Sequence, residues 1–551
     1  MARKKRASRP APAGASRASS VGWVWLIGIF AVALAYRVLC HQFLGRHPLL
    51  ATPLIDAEFH DEWAARILGG DLLGTGADDA FKPAGYPYFV ALVYLVFGRS
   101  PASVQLAQYL LGAGLAVLTA VIGARLLGPR AGRAAGLLSA LYAPYVFFES
   151  QLLTPALSLA LNACALVLIL DGRAEHRILR WLAAGLMIGA SAAVRPDVLP
   201  AAGLVLLSSY GIATRERKER SVMPLLAVAA GVLAIVAVST ARNYRLTGAA
   251  VPFSTNAGIN FFVGNGPGAS GIDAVPVGLR WEQLVESVPD EIAADPVASS
   301  RWWLRRTWTS MLEGPVDGLA RIGVKALALV NRRELRNNVC YHFVQREVWP
   351  LRLPFVQYAI VFPLGVAGLT LLLWRAGRDE RRAAIFCISW IAGYAAVGLL
   401  FFVNARYRLP LVPRLIVPAG YLLAHISELG HARARRRLIG MGAAFALAAA
   451  LCWPLWLGPP SAGWVRDYTN LGRRMTEARR LDTAEDLLRA AVAIDGSDPD
   501  ARLQLARALA GKGQHTVALE HLAVARAVMP RADRLLLASA EISSLAGDDA
   551  S

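Results

Sequence analysis

Between Pro53 and Asp71 the chain reads PLIDAEFHDEWAARILGGD, which places Asp56, Glu58, His60, Asp61 and Glu62 within seven residues. Carboxylates and an imidazole at this density handle protons. Read as a helix over 57–69, the stretch puts Asp56, His60 and Trp63 near one face at i, i+4 and i+7, with Phe59 beside them and Glu58 and Glu62 turned elsewhere. Asp56 then has two readings. It is either the N-cap that satisfies first-turn amides, or a base that accepts the proton of an attacking hydroxyl while His60 orients it or its substrate.

Three further stretches carry chemistry. In AVRPDVLP, Arg195 sits at a break between two short apolar runs, and its planar donors fit a phosphate; the rival reading is an arginine snorkelling to the interface at a Pro kink. The segment 241–271 is rich in Gly and Asn. There Asn256, Asn260 and Asn265 offer the paired donors and acceptors that sugar hydroxyls need. It has no Gly-Lys-Ser/Thr ending and no preceding soluble strand, so it is no P-loop. In NRRELRNN (331–338) and NARYRLP (404–410), Arg332, Arg333, Arg406 and Arg408 are placed to neutralise an anionic leaving group, and Glu334 and Asn337 join them as substrate-binding candidates. Lipid-headgroup contacts or topology signals explain the same arginines.

These residues are positioned by elements that belong in a bilayer. The 551 residues are 55% hydrophobic and 18% charged, too apolar for a soluble chain of this length. The net charge of +19 resides mostly in short clusters between apolar runs, which argues for helix orientation and against nucleic acid. Five single cysteines without metal-like spacing read as packing residues. The first apolar run, 21–40, is long enough to cross and lacks a cleavage site, so it reads as a retained span rather than a signal peptide.

Propagating the positive-inside rule from the basic, disordered tail 1–20 gives about eleven spans, with the N-terminus cytoplasmic and the C-terminus outside. The spans fall at 21–40, 104–127, 134–149, 152–170, 181–194, 197–210, 221–240, 353–374, 383–403, 409–425 and 438–457. The loops 41–103 and 241–352 lie outside. Residues 86–98 read as a helix at the interface, and 316–330 is apolar enough to hide a further crossing. Beyond Trp464 the pattern is that of soluble helices, with Ala484 and Ala518 thirty-four residues apart at equivalent points of successive helix pairs. This is the period of tetratricopeptide repeats. The expected organisation is thus a disordered tail 1–20, a membrane domain 21–463 and a repeat-like helical domain 464–551. The fold class is all-α.

The acidic first loop, FKPAGYPYF, RLLGPRAGRAAGLLSALYAPYVFFES, AAVRPD, STNAGINFFVGNGPGASG, RRELRNN and ARYRLPLVP occur in an order that resembles bacterial glycosyltransferases of the GT-C superfamily. The similarity is to the protein-mannosyltransferase-like (family 39) and aminoarabinose-transferase-like members with a tetratricopeptide tail. The resemblance implies inverting transfer of a sugar from a polyprenyl-phosphate carrier to a protein, lipid or polysaccharide acceptor, on the outer face of a bacterial inner membrane. Only about two repeats are visible in the tail, fewer than a free-standing solenoid needs, so it is expected to lean on the membrane domain or on a partner. The catalytic carboxylate maps onto Asp56. Glu58 takes the second acidic position, where relatives use a divalent metal such as Mg2+ or Mn2+; the pair alone commits to none. Arg195, with Arg406 and Arg408, would hold the lipid phosphate. Outside this class stand a transporter or flippase, which would show internal repeats, and a non-catalytic envelope scaffold, which would not need Asp56.

Overall fold

The computed structural model describes residues 21–170, 177–216, 222–272, 278–353, 356–375, 377–430, 435–453 and 463–548; the basic tail 1–20 lies outside the described residues. Among those residues the fold is helical without strands, in agreement with the all-α expectation.

The first part of the chain runs through α1 (Trp23–Leu44), α2 (Asp56–Leu68), α3 (Gly85–Phe97), α4 (Pro101–Leu127), α5 (Pro129–Ala140), α6 (Ala143–Glu149), α7 (Pro155–Leu170), α8 (Arg177–Val194), α9 (Val198–Glu216) and α10 (Met223–Thr247). The outer segment holds α11 (Ala257–Asn265), α12 (Leu279–Glu286), α13 (Asp290–Ala293), α14 (Pro296–Glu313), α15 (Pro315–Val330) and α16 (Tyr341–Gln345). Next come α17 (Tyr358–Arg375), α18 (Arg378–Leu400), α19 (Ala405–Arg408), α20 (Val412–His425) and α21 (Arg435–Cys452). The tail is α22 (Val465–Glu477), α23 (Leu481–Ile494), α24 (Pro499–Ala510), α25 (His515–Val528) and α26 (Asp533–Asp548).

Among the described residues six helical runs are long and apolar enough to cross a bilayer: α1, α4, α10, α17, α18 and the stretch Ala405–Glu428; α3, α7, α8, α9 and α21 contribute shorter apolar helices. The expected span 134–149 is not one helix. It breaks between α5 and α6, where Tyr142 is extended and Pro144 enters at the start of α6, because proline cannot donate to the ladder of the preceding turn. α15 is amphipathic and is not among the runs apolar enough to cross. One face carries Asp317, Arg321 and Lys325 at four-residue spacing, and the other exposes Val316, Leu319, Ile322 and Leu327. Lys325 is buried, donating to Asn265 Oδ1 at 2.7 Å and to the Leu399 carbonyl at 3.1 Å.

Packing between apolar helices depends on small residues, since lipid supplies no hydrophobic drive to pair them. Where α8 meets α10, a Cβ on Gly185 would stand 2.2 Å from the Val228 carbonyl oxygen. α1 and α6 are joined by charge instead. Arg37 Nε and Nη2 donate to the two oxygens of Glu149 at 2.6 and 2.9 Å, and both side chains are buried.

The tail packs on the rest of the molecule. Asp467 is fully buried and accepts from the Cys340 amide at 3.1 Å, with Arg336 at 3.5 Å, while Leu471 joins the largest apolar core. Leu279 of α12 is buried within the tail's own core. Ala484 and Ala518 are both fully buried, each at the fourth position of its helix, α23 and α25.

Candidate active site

α2 begins one residue earlier than the spacing suggests, and Asp56 is its first residue rather than its cap. The cap position belongs to Ile55, which makes no side-chain bond to the helix and has φ of 57°. That region is sterically costly for a β-branched side chain. The N-cap reading of Asp56 is thereby corrected. Its carboxylate is taken up by two cations instead. Lys82 Nζ donates to Oδ1 at 2.5 Å, and Arg406 Nη1 donates to Oδ2 at 2.8 Å.

Each cation is held by its own supports. Lys82 follows a hub at Asp79, whose carboxylate accepts from Arg66 Nη2 at 2.6 Å and from the Thr75 amide at 2.9 Å, and whose carbonyl accepts from Arg242. The Lys82 ammonium also lies 4.3 Å from the Phe59 ring centre. Arg406 sits on the one-turn helix α19, whose cap, Asn404, accepts from the Tyr407 amide at 3.0 Å and donates to Asn337 Oδ1 at 3.2 Å. The Ala405 amide donates to the Leu335 carbonyl at 3.1 Å. Segments 331–338 and 404–408 are thus laced together, and the lacing aims Arg406.

Arg195 adjoins the same cluster. It pairs with Asp197, donates to the Arg406 carbonyl at 3.4 Å, and stacks 4.8 Å from the centre of Tyr407, against which Arg406 also lies. Asp197 balances its charge. Asp56, by contrast, is one carboxylate between two cations, which leaves a surplus positive charge at this spot.

That imbalance sets the titration. Burial by itself pushes the Asp56 carboxyl up, but Lys82 and Arg406 beside it overcome burial and hold it well below the usual carboxylate range. His60 is pushed down to about 3, first by burial and then by the neighbouring Lys82 ammonium, so the ring is neutral. Its Nδ1 is buried without a hydrogen-bond partner, and the ring packs edge-on against Tyr86 at 4.8 Å. The carboxylate it was expected to orient is bonded to Lys82 and Arg406.

The other expected site residues divide. Glu58 is exposed, whereas both oxygens of Asp56 are taken by cations. The two carboxylates do not converge, and among the described residues no three His, Cys, Asp or Glu side chains could hold an ion. The pair does not fit a divalent cation. Arg408 is buried and spent on the Asn331 and Arg333 carbonyls and on Glu334, 2.7 Å away, with its guanidinium 3.8 Å from the Tyr358 ring centre. Glu334 and Arg408 thus brace the loop behind Arg406. Asn265 braces too, donating to the Phe261 and Leu400 carbonyls and accepting from Lys325. Asn256 accepts from Ser254 at 2.9 Å, and the Asn260 amide donates to the Asn256 carbonyl; neither bonds Asp56, Lys82 or Arg406. Their loop reaches the site through the Thr255 amide, which donates to the Ala80 carbonyl at 2.9 Å.

Lys82, Asp79 and Arg242 were not among the expected site residues. Lys82 had a sequence signal, as the one cation in FKPAGYPYF. The others had none.

Fold and site define a helical, multi-pass membrane protein with a doubly cation-paired carboxylate in its first loop. Residues 81–241 match the family model of dolichyl-phosphate-mannose-protein mannosyltransferase. That segment, less than a third of the chain, is similar to this family of membrane mannosyltransferases. The matched segment contains Lys82 and Arg195, stops just short of Arg242, and lies between Asp56 and Arg406. No curated protein sequence matches the chain. Among solved structures, an oligosaccharyltransferase from Archaeoglobus fulgidus tethered to an acceptor peptide is 12% identical, over 84% of this chain and 59% of that one, with a TM-score of 0.44. ArnT from Cupriavidus metallidurans bound to undecaprenyl phosphate is 15% identical, over 94% of this chain and 78% of its own, with a TM-score of 0.40. The chain therefore spans about three-fifths of the length of the archaeal enzyme.

Proposed function

We propose that the protein transfers a sugar from a polyprenyl-phosphate carrier to an acceptor hydroxyl or amine at the outer face of a bacterial inner membrane, with Asp56 as general base. The observation that carries this reading is the surplus cation at Asp56: one carboxylate bonded by both Lys82 and Arg406, with Arg195 adjoining. Transfer from a phosphate carrier needs a proton acceptor beside positive charge for the leaving group.

The paired carboxylate is a weak base as it stands. A donor phosphate entering beside it would compete for Lys82 and Arg406, loosen their hold on Asp56, and let burial raise its proton affinity. The acceptor X–H then gives its proton to Asp56 as X forms a bond to the anomeric carbon from the face opposite the phosphate. The C–O bond to the carrier breaks, and its electron pair leaves on the polyprenyl phosphate, which Lys82 and Arg406 neutralise. Attack from the opposite face inverts the anomeric centre. The braces behind Arg406 keep these donors where the charge develops.

Binding of undecaprenyl phosphate alone to the purified protein tests the cation assignment. Lys82→Met and Arg406→Met should each weaken it by about tenfold or more, the scale of one charge-assisted contact. Unchanged affinity in both would remove the phosphate from this site.

A further inference from the structure

The turn that aims Asp56 is held from the far end of the chain. Arg474, on the first helix of the tail, donates from Nη2 to the Pro53 carbonyl at 2.8 Å across 421 residues of sequence. Two residues on from Pro53, Ile55 occupies its positive φ without a capping bond. The first turn of α2 depends on this geometry, because the Ala57 amide donates to the Leu54 carbonyl and the Phe59 amide to the Ile55 carbonyl, each at 3.0 Å. Leu54 is buried in the same apolar core as Leu471 of α22. A strained backbone persists only where its surroundings over-determine it. Here those surroundings include the tail.

We propose that Arg474 is a positioning residue for sugar transfer, holding the strained 53–55 turn so that Asp56 meets Lys82 and Arg406. The proposal rests on the reading of Asp56 as the base. It makes the tail part of the catalytic unit: its first helix reaches the Asp56 turn. Its third helix receives the long outer loop, where Asp500 accepts from the Leu279 amide at 3.2 Å. Arg474 touches neither substrate nor reacting atoms and acts through the backbone of residue 53.

The test uses the full-length protein in lipid discs, with hydrogen exchange by mass spectrometry and turnover of undecaprenyl-phosphate mannose as the donor probe. Arg474→Ala should speed exchange of the 54–60 amides by about tenfold while leaving 481–548 unchanged, because relaxing one strained residue is worth roughly that factor. kcat should fall by a similar, roughly tenfold factor with KM nearly constant. Ile55→Gly removes the strain, since glycine adopts positive φ freely. Added to Arg474→Ala it should restore most of the lost kcat, a rescue that a mere docking contact would not give. Arg534→Ala, which breaks the exposed pair with Glu282, should behave as wild type. Unchanged exchange at 54–60 in Arg474→Ala overturns the proposal whatever the turnover, and so does a lost kcat that Ile55→Gly leaves lost. Asp56→Asn separates the two claims. If that variant turns over at the wild-type rate, the base assignment fails; if it is inactive while Arg474→Ala is fully active, only the positioning role fails.

Discussion

Asp56 is ionised because two cations outweigh its burial, and each cation has a testable consequence. The carboxyl pKa is depressed, so the charged form persists as pH falls and is lost only below the usual carboxylate range. In the free enzyme, kcat/KM should therefore stay flat from pH 8 to pH 5 as far as Asp56 is concerned. Lys82→Met leaves burial opposed by Arg406 alone, which moves the acid limb upward. The acid limb of that variant's kcat/KM profile should begin at a higher pH than the wild type's, by about one pH unit for each pKa unit gained. Identical profile shapes would show that Lys82 does not control the carboxylate. His60, neutral and packed on Tyr86, contributes bulk rather than charge, so His60→Gln should leave the shape of the profile unchanged.

Helices in this molecule are tied together by close backbone approach and by buried charge, and the two respond differently to substitution. Removing one partner of Arg37–Glu149 strands the other in an apolar core, a loss of about 3–5 kcal/mol. Glu149→Met should therefore lower the unfolding temperature more than the double variant Arg37→Met/Glu149→Met does. Equal losses would mean that the pair contributes little beyond packing. At the seat of α12, burial pushes Asp500 up to about 6. A raised carboxyl is penalised when charged. The penalty grows as pH climbs from the unfolded value near 4 and is complete above 6. Asp500→Asn keeps an acceptor for the Leu279 amide without the charge. At pH 7.5 it should stabilise the tail by about 2 kcal/mol and flatten its stability between pH 4 and 6, read by exchange of the 481–548 amides.

At the scale of the whole molecule, apolar periodicity and basic clusters made most of the helices legible, because each depends on residues close in sequence. The break in 134–149 was visible in principle, since Pro144 lies within the run. Spacing also placed Asp56, His60 and Trp63 on one helix, but it could not place their partners. Arg406 meets Asp56 across 350 residues and Arg474 meets Pro53 across 421. Pairings of that range come from the packing of whole helices, which local pattern does not encode. For the same reason spacing did not show that Arg408 and Glu334 pair with each other, and Lys82 went unassigned. The proposed transfer stands on Asp56 taking the acceptor's proton. It is tested most directly by the initial rate of sugar release from a polyprenyl-phosphate donor, compared between wild type and Asp56→Asn inserted at equal levels. A loss of at least about a hundredfold is expected for a removed general base, with undecaprenyl phosphate still bound. Transfer at the wild-type rate in Asp56→Asn would contradict it.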